Sequence, residues 1–489
     1  MGRVSVCLGV LALVVATAHA QERARAGDRG ATQRPGAAKD AVVAALDAGQ
    51  AAYAGVAQRI WEFAEVGYQE ARSSALLAEQ AESAGFVVQR GVAEIPTAFV
   101  ATWGTGRPVL AFLAEYDALP GLSQEAAPTR RPLAAGAPGH GCGHHLLGTA
   151  ALAAAIAVKD WLTATGRPGT VRLYGTPAEE GGSGKVYMLR AGLFEDVDVA
   201  FAWHPGDRND ASPQSSLANM NAKFRFHGVS AHAAASPERG RSALDAVEAM
   251  NFMVNLMREH VPQETRIHYV ITRGGGAPNV VPDFAEVYTY ARHPDIQVLD
   301  GVWARIVDAA KGAALGTSTT MDHEITGAVY NLLPNEYLAG LAFANMRRVG
   351  GYAYSAEEQA FAEAIRATLP EASLPLGSQA AVQPQRGGVG NASTDLGDVS
   401  WNVPTVEIGA ATWVPGTPAH SWQAVAAGGT SIGTKGMMVA ARTLALTALD
   451  VVLDPSHLAR AREEFDRRRG SFSYTPRVGD RKPPLDYRK

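Results

Sequence analysis

The feature that most constrains the fold is a change in the spacing of apolar residues at about residue 218. Before this point, short apolar runs that end in polar residues alternate with longer helical patterns, as in a sheet covered by helices. The strand runs are 109–117, 170–180 and 197–205, and the helical runs are 41–65 and 146–164. After this point, strands with alternating apolar residues, the later ones at 266–275, 284–294 and 317–330, surround helices near 241–260 and 297–313.

The second region has the order strand-helix-strand-strand-helix-strand, which is the split βαβ order of a ferredoxin-like domain. The mixed helix and strand signals then resume after Asn331 and end in a long apolar helix at 433–453. We therefore predict the fold class α/β, with a central mixed sheet, helices on both of its faces, and an inserted α+β ferredoxin-like domain. The predicted segments are a disordered leader at 21–40, the larger domain at 41–217 and 332–453, the insertion at 218–331, and a C-terminal surface extension at 454–489.

Residues 1–20 have the features of a cleaved secretory signal peptide. Arg3 precedes an apolar stretch, and the small residues Ala18 and Ala20 come just before a cleavage site at Gln21. The alternative is a retained membrane anchor, although the apolar stretch is short for a bilayer. No later stretch looks long and apolar enough to span a membrane. The sequence predicts export to a periplasm.

Charge and cysteine content narrow the choice of partners. The formal net charge is −4 with 19% charged residues, so no polybasic surface suggests nucleic acid or acidic lipid. Cys7 would leave with the signal peptide, and Cys142 would then be the only cysteine of the mature chain. A lone thiol in an oxidising compartment is expected to be buried or bound to a metal.

The run "GHGCGHHLLGTA" (139–150) places Cys142 and His144 two residues apart on a turn between glycines. Side chains at this spacing can aim at one point only on a loop or a strand. Glycine permits the tight backbone angles and close approaches that such a turn requires. The two residues are candidates for metal binding. The alternative is that they serve only in packing.

The run "GTPAEEGGSGK" (175–185) places Glu179 and Glu180 just after an apolar strand. This position is the C-terminal edge of the predicted sheet, where α/β active sites form. Adjacent side chains on extended backbone point in different directions, so one carboxylate can bind metal while the other serves as a general base. A solvated loop is the alternative.

Two more histidines follow strands of the same predicted sheet. His204 lies in "AFAWHPGD", and His420 lies in "TPAHSW" after the strand "VPTVEIG". With Cys142, His144 and Glu180 they form a set of sulfur, nitrogen and oxygen ligands. Five ligands exceed one tetrahedral zinc ion and suit two metal ions about 3.5–4 Å apart.

Seven motifs in order now make the chain resemble a known family over residues 40–453. It resembles the M20 metallopeptidases and amidohydrolases, in the branch with a Cys-Gly-His element, and within that branch the B-type subunits of the aminobenzoyl-glutamate utilisation group. The motifs are "GHGCGHHLLGTA", "GTPAEEGGSGKVYM", "AFAWHPGD", "GVSAHAAASPERGRSALDAV", "GGGAPNVVPDFAEV", "STDLGDVSW" and "GTPAHSWQ".

The resemblance implies a role for each matching residue. It implies a zinc-peptidase-like catalytic domain, an inserted lid or dimerisation domain, Glu179 as general base, and Asp117 as a residue that orients a metal ligand. His232 would reach a partner's active site and stabilise the oxyanion, while Asn279 and Arg292 would bind the substrate carboxylate. The implied metal ligands are Cys142, His144, Glu180, His204 and His420.

One position departs from the family pattern. His145 stands where much of this branch has Asp or Asn after Cys-Gly-His. It could be a sixth ligand, a hydrogen-bond donor behind the ligands, or a surface substitution, and we favour the second or a neutral role. His140 is a weaker candidate for a group that supports the cysteine.

The predicted activity is metal-dependent hydrolysis of the amide bond of N-acyl amino acids with a free carboxylate, as in aminobenzoyl-glutamate. Glu179 would act as general acid and base toward water activated at a dinuclear centre. The cofactors would be two divalent ions, zinc or manganese, with cobalt also allowed. We expect a homodimer or a heteromer with a homologous subunit. The alternatives are a dipeptidase or aminopeptidase of the same family and a metal-dependent binding protein without turnover. A serine hydrolase is disfavoured because no G-x-S-x-G motif occurs.

Overall fold

The computed structural model describes residues 35–370 and 374–488. The first four helices of the larger domain are α1 (Pro35–Phe63), α2 (Ala71–Ser83), α3 (His144–Thr165) and α4 (Gly184–Arg190). Its first five strands are β1 (Val87–Arg90), β2 (Phe99–Thr105), β3 (Val109–Ala114), β4 (Gly169–Gly175) and β5 (Val199–Gly206). After the insertion come α7 (Glu336–Val349), α8 (Ala356–Arg366), α9 (Leu396–Ser400), β10 (Thr405–Ala411), α10 (Trp422–Gly428), α11 (Ser431–Leu453) and α12 (Pro455–Arg469).

The larger sheet has six strands in the order β1-β2-β4-β3-β5-β10. Strands β4, β3, β5 and β10 run parallel, whereas β2 pairs antiparallel with β4 and with β1. Every residue of β3 is buried, since α1, α3 and α11 cover one face and the short helices α4 and α9 lie on the other. The predicted mixed sheet with helices on both faces is confirmed.

The second sheet lies within the inserted segment and has four antiparallel strands. They occur in the spatial order β7-β8-β6-β9, the ferredoxin-like arrangement that the sequence predicts. Its elements, in chain order, are β6 (Ala218–His227), α5 (Ala243–Met257), β7 (Arg266–Arg273), β8 (Phe284–His293), α6 (Ile296–Thr317) and β9 (Thr320–Val329).

The predicted disordered leader is wrong at its C-terminal end. Helix α1 begins at Pro35, so residues 35–40 are helical. Ala38 is completely buried, and Lys39 forms an ion pair of 2.6 Å with Asp450 of helix α11. Packing against α11 therefore extends the helix beyond what local composition suggests. The predicted signal peptide and the remainder of the leader lie outside the described residues.

The C-terminal segment after Leu453 differs from the predicted surface extension. Helix α12 covers 455–469, and the chain then turns back over the body of the protein. Val478 is buried, and the hydroxyl of Tyr474 donates a hydrogen bond of 2.8 Å to Asp398. Charge and proline content made this segment look like a solvated tail, but its scattered aromatic and aliphatic residues pack.

Two helices in the described part of the chain, α3 and α11, are long and apolar enough to cross a membrane by length and composition. The expectation that no segment after residue 20 would meet this test is therefore wrong. In the most apolar window of these helices, 78% and 83% of the residues are buried inside the structure. Core helices pass the same test, so the two segments are weak evidence for a membrane span.

A glycine in α11 allows this helix to lie directly on the end of strand β10. A Cβ atom at Gly436 would lie 1.9 Å from the carbonyl oxygen of Ala411. We expect Gly436→Ala to lower the free energy of unfolding by about 2–3 kcal/mol, because the helix must move away from the strand. As a control, a Cβ at Gly340 in α7 meets nothing within 4 Å, so Gly340→Ala should be as stable as the wild type or slightly more stable. Urea unfolding of both variants tests this, and a Gly436→Ala variant as stable as Gly340→Ala would contradict it.

Candidate metal centre

The polar side chains that the sequence singles out lie together at one edge of the larger sheet. Strand β3 leads to Glu115 and Asp117, β4 leads to Glu179 and Glu180, and β5 carries His204 near its end. Because these strands are parallel, their C-terminal ends share an edge, and side chains that follow them converge there. The loop after β10 brings His420 to the same edge.

The five predicted ligands form two overlapping groups. Ligand atoms of Cys142, His144 and His204 lie within 4.8 Å of one another, and so do those of Cys142, Glu180 and His420. The Cys142 sulfur lies 3.3 Å from His204 Nε2, and His420 Nε2 lies 3.1 Å from Glu180 Oε1. Cys142 belongs to both groups, so the arrangement has the form of two adjacent sites that share a thiol.

The backbone of the glycine-rich turn explains how Cys142 and His144 reach one point. Gly143 has a φ of 79°, and a Cβ there would lie 2.8 Å from Pro205. The turn also accepts a backbone hydrogen bond of 2.9 Å from His420 to the carbonyl of Gly141. His420 itself has a φ of 57°, an unusual value for a residue with a side chain. Close backbone contact thus brings the two loops together.

Asp117 orients two members of the cluster. Its Oδ1 accepts a hydrogen bond of 2.9 Å from His144 Nδ1, and its Oδ2 accepts one of 2.9 Å from the backbone N–H of Glu180. With Nδ1 engaged, His144 presents Nε2 to the cluster. A carboxylate behind a ligating histidine fixes its tautomer and ring orientation in metal sites.

The donor set fits divalent cations. Three atoms in the cluster are buried without a hydrogen-bond partner, namely Glu115 Oε2, His144 Nε2 and Glu180 Oε1. Two ligand atoms held about 2.1 Å from one tetrahedral ion are separated by about 3.4 Å. The 3.3 Å between Cys142 and His204 and the 3.1 Å between His420 and Glu180 are close to this value. Burial raises the pKa of the Cys142 thiol, and the charge of Glu180 adds to this rise. A cation has the opposite effect, since a coordinating thiol is deprotonated.

Glu179 lies beside the proposed ligands, in a third group with Glu115 and His144 whose atoms are also within 4.8 Å. Burial raises the pKa of its carboxyl group well above the ordinary range, and the charges of Glu115 and Glu180 raise it further. A carboxyl group of raised pKa beside a metal site suits proton transfer.

Sequence reasoning missed a buried ion-pair network beneath the cluster. Lys185 Nζ lies 2.7 Å from Glu115 and 2.6 Å from Asp395, and the lysine is fully buried. The only local signals are an acidic residue at the end of strand β3 and the lysine of "GGSGK". The network places the carboxylate of Glu115 so that its second oxygen lies 3.2 Å from His144 Nε2.

His140 and His145 are structural residues in the described chain. His140 Nε2 donates a hydrogen bond of 3.0 Å to the carbonyl of Ile60, and His145 Nε2 donates one of 3.1 Å to Gly428. Their rings pack together with centroids 4.9 Å apart. Burial lowers the pKa of His140 to about 3 and that of His145 well below its usual value. Both are neutral, and the surface-substitution interpretation of His145 is wrong because the side chain is buried.

A cavity of about 610 Å³ opens onto the cluster between the two sheets. Its walls include Cys142, Glu179, Glu180, His204 and His420 from the larger domain and Arg292 from strand β8. His232 and Asn279, predicted to contact substrate, are exposed on loops of the inserted segment and do not line this cavity. The ring nitrogen Nδ1 of His232 accepts backbone hydrogen bonds of 3.2 and 3.1 Å from its own loop. Of the three predicted substrate-contacting residues, a single chain brings only Arg292 to the site.

Comparisons with known proteins agree with this geometry. The peptidase family M20/M25/M40 matches residues 111–442. The B-type subunit of p-aminobenzoyl-glutamate hydrolase from Escherichia coli (strain K12) is 43% identical over 452 residues, covering 86% of this chain and 94% of that protein. The Xaa-Arg dipeptidase of Mus musculus is 31% identical over 426 residues, covering 84% and 88%.

A solved structure has the same fold. The YXEP protein of Bacillus subtilis, described as a dinuclear metal binding peptidase from the M20 family, matches with a TM-score of 0.56 at 17% identity, over 83% of this chain and 99% of that chain. The resemblance that the sequence motifs indicated is confirmed by these matches. The chain belongs to the peptidase family M20/M25/M40 and is a metal-dependent hydrolase of amide or peptide bonds.

Proposed function

We propose that the protein hydrolyses the amide bond of N-acyl amino acids whose leaving amino acid carries a free carboxylate. The observation that carries this proposal is that a cluster of candidate metal ligands, the carboxyl group of Glu179 and a partly buried arginine line one cavity. Arg292 Nη1 donates a hydrogen bond of 3.3 Å to Ser393, while its Nε is buried without a partner. The relative named p-aminobenzoyl-glutamate hydrolase cleaves a molecule of this class, as its name states.

The residues of the cavity have separable tasks in this reaction. The ligands that would hold two divalent ions are Cys142, His144, Glu180, His204 and His420. When bound, the ions would supply Lewis acidity toward the carbonyl group and toward the attacking water. Glu179 accepts the proton of that water and returns it to the departing amine. Arg292 holds the carboxylate of the leaving amino acid, with the charged hydrogen bonds that guanidinium groups favour. Thiolate and imidazole ligands favour zinc, and manganese or cobalt also suit the carboxylate.

A second polypeptide completes the proposal. His232 stands outside the cavity of its own chain, which agrees with a role in the active site of a partner. Strand β7 is an edge strand with the exposed apolar residues Val270 and Ile271, and helix α5 exposes Phe252 and Leu256. An exposed apolar edge of this kind is a common association surface. The partner would be a second copy of this chain or a homologous one, since the relative from Escherichia coli is itself named as one subunit of a hydrolase.

Export to the periplasm remains part of the proposal, supported by the pattern of residues 1–20 alone.

A dipeptidase is the second candidate function, because a relative of 31% identity is named as one. A dipeptide needs an acidic group for its α-ammonium, and Glu407 on strand β10 lines the cavity. A binding protein without turnover is the third candidate. It is disfavoured because Glu179, a candidate general base, lies beside a full set of ligands.

A substrate panel tests the proposal. The chain without residues 1–20, loaded with zinc or manganese, is incubated with N-acyl amino acids, the matching carboxamides and free dipeptides, and products are detected by mass spectrometry. We expect cleavage of acyl amino acids and much slower cleavage of their carboxamides. Preferred cleavage of dipeptides would favour the second candidate, and binding without cleavage would favour the third. Light scattering of the same sample reports its oligomeric state.

A further inference from the structure

We propose that Arg488, near the end of the C-terminal segment, determines specificity by binding a second carboxylate in the leaving amino acid. The substrates would then be N-acyl derivatives of acidic amino acids, in which Arg292 holds one carboxylate and Arg488 the other. This inference rests on the proposed function of the same cavity. It also assigns a function to the segment 470–488, for which the sequence alone indicated none.

The C-terminal segment has a fixed path to the cavity. Arg190 of helix α4 donates hydrogen bonds of 2.7 Å to the carbonyls of Gly479 and Arg481. Arg481 in turn donates one of 2.8 Å to the carbonyl of Thr326 in strand β9. Further along, Gln69 donates a hydrogen bond of 2.7 Å to the carbonyl of Leu485. The segment is thus held by both the larger and the inserted domain.

The last described residues lie against the loop that carries the acidic pair. The carbonyl oxygen of Glu180 accepts hydrogen bonds of 2.7 Å from Arg488 Nη2 and 3.1 Å from the hydroxyl of Tyr487. The Tyr487 ring packs edge-on against Tyr68, with centroids 5.7 Å apart. A Cβ at Gly67 would lie 2.3 Å from the Tyr487 hydroxyl oxygen, so the backbone there is shaped for this contact. Arg488 is therefore held at the wall of the cavity.

The two arginines of the cavity have no acidic partner in the part of the chain that the structure describes. Within residues 35–370 and 374–488, neither Arg292 nor Arg488 has a carboxylate oxygen within 4.0 Å, although other arginines of this chain form ion pairs. Both arginines lie near Tyr290 of the inserted sheet. Burial raises the pKa of Tyr290, and the positive charges of Arg292 and Arg488 lower it. Two unpaired guanidinium groups in one cavity are a site for two anionic groups.

This arrangement discriminates among amino acids. An acidic leaving group pairs both guanidinium groups, each of which can bind a carboxylate with two parallel hydrogen bonds. A neutral leaving group covers Arg488 without pairing it, and an unpaired buried charge is costly. The acids of the cavity wall do not compete. Glu180 lies at His420 and Asp395 lies at Lys185. Among the described residues, the other two acids of the wall, Glu179 and Glu407, form no ion pair with either arginine.

The substitution Arg488→Gln tests the assignment, because glutamine keeps side-chain N–H donors but carries no charge. The probes are N-benzoyl-L-glutamate and N-benzoyl-L-glutamine, which differ in one carboxylate. We expect kcat/KM for the glutamate compound to fall about 10- to 100-fold, mainly through KM. For the glutamine compound we expect a change below about threefold. Lys482→Gln removes a charge from the same segment on the exposed surface and should change neither value.

Several results would overturn the assignment. Equal losses for both compounds would show that Arg488 only positions the Glu180 loop, and a wild type without preference for the glutamate compound would remove the basis for specificity. A wild type that cleaves no acyl amino acid contradicts the proposed function instead. In that case calorimetry with L-glutamate and L-glutamine on the metal-loaded protein decides about Arg488. At least tenfold weaker binding of L-glutamate alone in the variant supports the assignment, and unchanged binding overturns it.

Discussion

The Glu179→Gln variant is expected to keep its fold and its metal ions and to lose about 10²- to 10⁴-fold in kcat. The amide has nearly the shape of the carboxylate, but it cannot accept a proton from water or return one to the leaving amine. Glu179 belongs to neither of the two groups that share Cys142, so its substitution leaves those five ligands intact. Steady-state rates combined with metal analysis of the same preparation measure the two effects.

The neighbouring carboxylate provides a matched control for this prediction. Glu180 contacts His420 and belongs to a candidate ligand group, so Glu180→Gln should lower metal content as well as rate. The same chemical change at adjacent positions then separates proton transfer from metal binding. If Glu179→Gln retained wild-type turnover, the general base would have to be another group. If it lost metal like Glu180→Gln, Glu179 would be a ligand instead.

The sequence was informative about the site because its residues follow the ends of strands. The apolar runs before Asp117, Glu179 and His204 are buried parallel strands, and a parallel sheet brings their C-terminal ends to one edge. The glycines around Cys142 indicated an unusual turn, which the positive φ of Gly143 confirms. Local pattern and topology therefore suffice to place these side chains together.

Other features depend on contacts that no local pattern encodes. Glu115, Lys185 and Asp395 come from three distant parts of the chain, and each alone looks like an ordinary surface charge. The same holds for Arg488, whose position depends on hydrogen bonds to residues of both domains. Composition made residues 35–40 and 470–488 look like tails, because apolar residues are sparse there. Packing against a completed fold decides their structure.

His232 and Asn279 are a different case. The family resemblance assigned them to the active site, yet in a single chain they lie on exposed loops away from the cavity. No rearrangement within the chain is needed if the residues serve a partner, as the resemblance implies for His232. A mixture of Glu179→Gln and His232→Ala chains addresses this point, since hybrid dimers would contain one site with both native residues.

Replacing Cys142 is expected to have the second large effect. Cys142 belongs to both candidate ligand groups, whereas His204 and His420 each belong to one. We therefore expect Cys142→Ala to lose both metal ions on dialysis and to lower kcat/KM by at least about 10³-fold, since metal ions contribute several kcal/mol to the stabilisation of the transition state. His204→Ala and His420→Ala should each lose one ion. Elemental analysis of the three variants, with circular dichroism as a check on folding, measures this pattern.

The pattern of metal loss matters more than the loss of activity, because many damaged sites are inactive. If Cys142→Ala lost no more metal than either histidine variant, the thiol would serve one ion only. If Cys142→Ala retained both ions, Cys142 would not be a metal ligand.

Thiol reactivity gives an independent measurement, since burial raises the pKa of the free Cys142 thiol and a bound cation shields the thiol from reagents. In the loaded protein a thiol reagent should not react with Cys142, and chelation should expose it to slow modification. Protection by metal would also explain how Cys142 escapes oxidation in the oxidising compartment that the proposed export implies.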